Sequence, residues 1–270
     1  MKSAATLSLP EVGPPKFPPE LEYPEVCTTL VLVSKSVYAW IDPILISTTK
    51  LGSFLAKLTS GKHPAEYYAQ HVKSLAFFGG HYKDGEIDGT LAICTGVENL
   101  VVGATDKRFA FFNRMSAGTA LRRLYIDLFS TIRGSATTLS FNHACFRSLT
   151  HLHLTDDDRI WTSYTGWEHL KCLTHLAFAL CTPEILQTVM QALPAVRYVA
   201  HGHYQWHGGR YRRANAVVNN NPHIIERWGV YVVFLEKIPL CDWEQGARGE
   251  VDFWDVVEDE VEKRLQDNSD

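Results

Sequence analysis

The chain has 270 residues, 46% hydrophobic and 21% charged, enough to enclose one substantial core with decorated ends. A net charge of -4 supplies no long-range attraction to phosphate backbones or anionic lipid surfaces, so neither nucleic acid nor membrane is expected as a partner. The six cysteines lie scattered in apolar surroundings, without the close pairs of a zinc site or the density of a disulfide scaffold, and read as reduced thiols, most of them buried.

In chain order, the opening MKSAATLSLPEVGPPKFPPE is broken by prolines before any apolar run reaches signal-peptide length. No stretch approaches the roughly 18 apolar residues of a membrane span. A cytoplasmic or nuclear protein is expected, with residues 1–16 as a disordered leader. Residues 17–60 begin with Pro18, Pro19, Glu20 and Leu21 and run into LVLVSKSVYAWIDPIL, which carries Leu32, Val33, Ser34 and Lys35, then Trp40 and Pro43. These residues make the segment resemble the F-box of fungal, basidiomycete-type F-box and leucine-rich-repeat proteins. The resemblance implies a helical cap that binds a Skp-type adaptor of a cullin ubiquitin ligase. Only EYPEVCTT separates the opening from the Leu-Val-Ser-Lys segment, where the family has a whole helix and loop, and Pro24 interrupts what remains. A segment truncated in this way can also serve as a cap alone.

Residues 61–205 carry a repeat with an apolar residue at positions 1, 4 and 6. It reads Val72, Leu75, Phe77; Val97, Leu100, Val102; Leu121, Leu124, Ile126; Leu149, Leu152, Leu154; Leu173, Leu176, Phe178; and Val196, Val199, with His201 in the last slot. The starts advance by 25, 24, 28, 24 and 23 residues, the period of leucine-rich repeats. Positions 4 and 6 fall on one face of a short strand, so stacked copies build a parallel sheet with a continuous apolar interior. The expected fold is therefore α/β: an irregular leucine-rich-repeat solenoid, a parallel sheet with helical or irregular return segments and caps at both ends. The clearest return segment is TPEILQTVMQALPAV, in which Thr182 caps, Pro183 takes the first helical position, and Ile185, Leu186, Val189 and Leu193 form a stripe. Position 9 holds the family's usual Asn or Cys only in the fifth copy, as Cys181, so a short, uneven arc is expected.

Residues 206–270 read as an insertion loop, a last strand VYVVFLE and a C-terminal capping helix. The Gly-rich turn, the Phe253-Trp254 pair and the charged helix that follow this strand are similar to the terminal segment of the same fungal group. The resemblance thus runs from Pro18 to Leu265.

The face opposite the leucines is the candidate site. Its expected rows are Arg123, His151, His175 and Tyr198, with Tyr125 and His153 beside them and Asp127 at a strand end. A rigid concave face bearing such residues suits recognition of a protein partner. The rival is an enzyme or small-ligand binder that uses the same row. His151 and His153 share a face, as do His201 and His203, yet sequence identifies no third ligand, no His-Glu-x-x-His and no cysteine pair. No metal and no cofactor is therefore assigned. Around the Gly61-Lys62 of LTSGKHP, Ala56 stands where a phosphate loop needs its first Gly and His63 where it needs Ser or Thr, and no nucleophile elbow is present. Asp156, Asp157 and Asp158 read as a polar turn, and HGGRYRRANAVVNNN as a flexible insertion. The balance leans away from catalysis and toward a protein-interaction module.

Overall fold

The computed structural model describes residues 54, 56, 58, 60, 61, 63–77, 85–103, 121–126, 140–155, 164–178, 183–202, 231–235, 243, 245–247 and 249–267. All lie in the compact unit that extends from Asp42 to Asp270. Pro18, Leu21, Leu32, Val33, Trp40 and Pro43 of the F-box-like segment, Asp127, and the position-9 residues fall outside them.

Helix α1 (Ala65–His71) leads into strand β1 (Ser74–Phe77), and α2 (Glu86–Ile93) into β2 (Asn99–Val102). Strand β3 (Arg123–Ile126) follows, then β4 (His151–Leu154) and β5 (His175–Phe178), each preceded by one turn of 3-10 helix, Ala144–Phe146 and Trp167–His169. Helix α3 (Pro183–Ala192) returns the chain to β6 (Tyr198–Gly202), and β7 (Tyr231–Leu235) precedes the C-terminal helix α4 (Phe253–Asp267).

The architecture is α/β. Seven strands form one all-parallel sheet in which spatial order equals sequence order. Parallel neighbours need a crossover, and every interval between strands has room for one. The register is constant: Leu75, Leu100, Leu124, Leu152, Leu176, Val199 and Val232 stand on successive strands as Cα partners. The joints repeat as well. The carbonyl of Lys73 accepts the N–H groups of Glu98 and Asn99, and the carbonyls of Glu98, Arg122, Thr150 and Thr174 each accept the corresponding pair from the next copy. One local rule is thus applied five times in succession.

The apolar positions explain that regularity. Leu75, Phe77, Leu100, Val102, Leu124, Ile126, Leu152, Leu154, Leu176 and Phe178 are all buried on one face, where each such side chain contributes on the order of 1.5–3 kcal/mol. The return segments cover that face with Tyr68 from α1, Ile87 and Leu91 from α2, Phe146 and Trp167 from the 3-10 turns, and Leu186, Val189, Met190 and Leu193 from α3. Helix α3 begins at Pro183, whose fixed φ and missing N–H suit the first helical turn. Of the described cysteines, Cys94 and Cys145 are buried thiols and Cys172 is exposed. Among the described residues, no helix is long and apolar enough to cross a membrane.

Candidate functional site

Arg123, His151, His175 and Tyr198 stand on consecutive strands as direct cross-strand partners, and Tyr125, His153 and Ala177 form the row beside them. The imidazoles of His151 and His175 stack at 4.0 Å between centroids, and His175 stacks on the Tyr198 ring at 4.5 Å. His153 packs edge-on against Tyr125 at 4.7 Å. His153 and His175 are buried and His151 is half-buried.

Two near-identical phrases create the paired imidazoles. SLTHLHL and CLTHLAF each place a threonine just before the strand's first histidine. Thr150 Oγ1 donates to the Arg122 carbonyl at 3.0 Å and touches His151 Nδ1 at 2.8 Å. Thr174 Oγ1 repeats the arrangement one strand later, 3.3 Å from the Thr150 carbonyl and 2.7 Å from His175 Nδ1. A hydroxyl has one proton to donate. When it serves the carbonyl, Nδ1–H is the donor to Oγ1, and Nε2 of each ring keeps its lone pair.

The sequence reading offers this row as an open binding face and the C-terminal helix as a cap, without placing one on the other; the helix does pack against β6 and β7. In the structure the segment from Asp252 through α4 lies over the row itself. Its start is fixed by a reciprocal cap: Asp252 Oδ1 accepts the N–H groups of Trp254 and Asp255, at 2.8 and 3.2 Å, while Asp255 Oδ2 accepts the Asp252 N–H at 2.7 Å. The free oxygen of Asp252 accepts a 2.5 Å hydrogen bond from Arg123. Gly246 makes room for this carboxylate, since a Cβ there would stand 2.3 Å from Asp252 Oδ2. Phe253 stacks on His153, and Trp254 meets His151 and His175 edge-on at 5.1 and 5.4 Å. Val257 and Val261 belong to a second apolar cluster with Ala177 and Ala200, whose small side chains let the helix approach. One turn beyond Trp254, Glu258 Oε1 lies 2.9 Å from His175 Nε2.

Asp252, Trp254 and Glu258 are the residues that the sequence reading missed. The contacts join positions 129 and 83 residues apart in the chain, a separation that no periodicity reports. Two local signals were present: the Asp-x-x-Asp box at 252–255 and the apolar stripe of Phe253, Trp254, Val257 and Val261, which needs a surface to cover.

Burial governs the charge state of the row. Desolvation, then the positive charges facing them, lowers His151 to about 2 and His175 to about 4. Glu258 is raised, first by desolvation and then by Asp255 and Glu262. A carboxylate at 2.9 Å would ordinarily hold a proton on His175. Here burial, with Arg123 nearby, prevails over that contact. His151 Nε2 is buried with no hydrogen-bond partner among the described residues. His151, His175 and Glu258 have ligand atoms all within 4.8 Å of one another. No family model matches this chain, and no curated protein matches it either.

Proposed function

We propose that this chain is a non-catalytic protein-interaction module of the leucine-rich-repeat type, with an F-box-like N-terminal segment that makes it a substrate receptor for a Skp-cullin ubiquitin ligase. The observation that carries the reading is the ladder: strands in sequence order, one residue register from β1 to β7, and successive rungs from β1 to β6 spaced 23 to 28 residues apart. A scaffold repeated in this way offers an extended rigid surface rather than a single enclosed pocket. The F-box-like residues from Pro18 to Pro43 supply the adaptor half of the proposal by resemblance. Because α4 overlies Arg123, His151 and His175, a partner either displaces that helix or uses another surface of the repeat.

Affinity capture from a fungal extract, with the full chain and a Leu32→Asp variant as baits, tests both halves. Recovery of a Skp-type adaptor by the parent and its loss from the variant is the expected result, with the variant's circular dichroism unchanged. Capture of no adaptor by either folded bait would overturn the receptor assignment.

A further inference from the structure

We propose that His151 Nε2, His175 Nε2 and Glu258 Oε1 form a binding site for one divalent transition-metal ion of the zinc class, which fastens helix α4 to strands β4 and β5. The three residues have ligand atoms within 4.8 Å of one another, and Nε2 is the His175 atom that faces Glu258 Oε1, at 2.9 Å. Tetrahedral coordination at about 2.0–2.1 Å would bring them to roughly 3.3 Å, a closure within reach of small side-chain rotations. Two imidazoles and a carboxylate are the donor set of three-ligand zinc sites, which keep a fourth position for water or another donor. Glu258 is only partly buried, which gives an ion a route to the site.

The surroundings are those of metal-bound histidines, whose second nitrogen is held by a neighbouring group. Thr150 and Thr174 take that part at Nδ1, 2.8 and 2.7 Å away, and a metal selects the tautomer in which each hydroxyl donates to its carbonyl. In that tautomer His175 Nε2 and a Glu258 carboxylate are two acceptors at 2.9 Å, a contact that a cation between them relieves, as the other tautomer, with Nε2–H donating, also does. A proton would satisfy this pair. It would leave His151 Nε2 buried without a partner, whereas a metal ion engages all three atoms. Trp254 packs against both imidazoles and limits competing water. Arg123 is the opposing influence, and its charge is taken up by Asp252.

The test uses the full chain stripped of metal, titrated with Zn²⁺ by calorimetry and with Co²⁺ by visible absorption. The expected result is one equivalent bound, with a Co²⁺ spectrum free of thiolate charge-transfer bands and a rise in melting temperature on loading. His151→Gln and Glu258→Gln should weaken binding more than about 100-fold, and Thr150→Val about 10–100-fold, the usual loss for an outer-shell partner. His203→Gln with His207→Gln should leave affinity unchanged, which separates this site from the other histidine-rich run in the sequence. Binding weaker than roughly 100 µM, or ligand variants that bind as tightly as the parent, would overturn the proposal. If the ligand variants do not fold, X-ray absorption of the zinc-loaded parent decides. Two imidazoles with oxygen donors support the site; sulfur or a third imidazole refutes it.

Discussion

The two faces of the sheet follow opposite rules. On one face every rung has the same character, since Leu75, Leu100, Leu124, Leu152, Leu176 and Val199 differ little in size or chemistry, and the return segments that cover them lie next to them in sequence. On the other face the rungs vary in chemistry, from Asn99 through Arg123 and the paired His151 and His175 to Tyr198, and between β3 and β6 the cover comes from the far end of the chain. The leucine face specifies the backbone, and from β1 to β5 its inward slots are all apolar. Once the backbone is set, the opposite face is free to vary, and its properties depend on what is laid over it.

The largest effect that separates the faces is expected within one strand. Leu152 is wholly enclosed, so Leu152→Ala should cost about 2–5 kcal/mol in urea denaturation, and Leu176→Ala on the next strand a similar amount. His151→Gln, one residue away and facing α4, should cost well under half of that. Equal losses from the three variants would show that the faces are not energetically distinct.

The next expected effect is on pH dependence and belongs to the polar face alone. In metal-free protein, His151 and His175 have folded values of about 2 and 4 against an ordinary value of 6.5, so the unfolded chain binds more protons between those values. Their contribution to stability is complete above about pH 6.5 and is lost as pH falls, down to about 4 for His175 and further, to about 2, for His151. Arg123 from β3 reinforces the shift, and Tyr198 from β6 stacks on His175; Asp252, Asp255 and Glu258 face the pair from the C-terminal segment. Raised Glu258 acts with the opposite sign above its ordinary value of 4.5, and Glu258→Gln removes it. The urea midpoint should therefore fall between pH 6.5 and 5 in the parent and in Glu258→Gln. It should flatten in His151→Gln/His175→Gln. A midpoint independent of pH in the parent would mean that the row is solvated and α4 is not seated on it.

These contrasts mirror what could be read in advance. The triplets from Val72–Leu75–Phe77 to Leu173–Leu176–Phe178 were legible because a strand's two-residue alternation is local, and helix α3 because Pro183 and its apolar stripe sit within one turn-and-helix unit. The row Arg123–His151–His175–Tyr198 was legible by the same counting. Its burial was not. Which surface receives Trp254, Val257 and Val261 depends on tertiary packing, and only the small side chains Ala177 and Ala200 hint at a close approach. The seventh rung, Val232, comes after a longer interval than the others, so the fixed period did not include it.

A smaller effect is expected where the C-terminal segment meets β3. Asp252 both caps α4 and accepts from Arg123, so Asp252→Ala removes two interactions and should cost about 1–3 kcal/mol. Asp252→Asn keeps a good cap and should recover about 1 kcal/mol of that. Hydrogen exchange should locate the loss in α4, while the amides of β4 and β5 stay protected. Uniform loss of protection would show that α4 and the sheet open as one unit.

The smallest effect comes from the same chemistry placed one residue earlier. Arg122 lies 3.7 Å from Glu98 with side chains 65% and 35% exposed, whereas Arg123 meets Asp252 at 2.5 Å with side chains 38% and 7% exposed. Both arginines share one stretch of backbone, so the comparison holds the scaffold fixed. Glu98 also lies 3.3 Å from Lys73, which spreads its charge over two mobile partners in water. A double-mutant cycle on Arg122 and Glu98 should return less than about 0.5 kcal/mol and should fade in high salt. The cycle on Arg123 and Asp252 should give a larger coupling with weaker salt dependence, because Asp252 is desolvated and its other oxygen is already held by the helix cap. If the two cycles give equal values, burial beneath α4 adds nothing to the Arg123 contact, and the cover over the polar face is held by its other contacts, those of Phe253, Trp254, Val257, Glu258 and Val261.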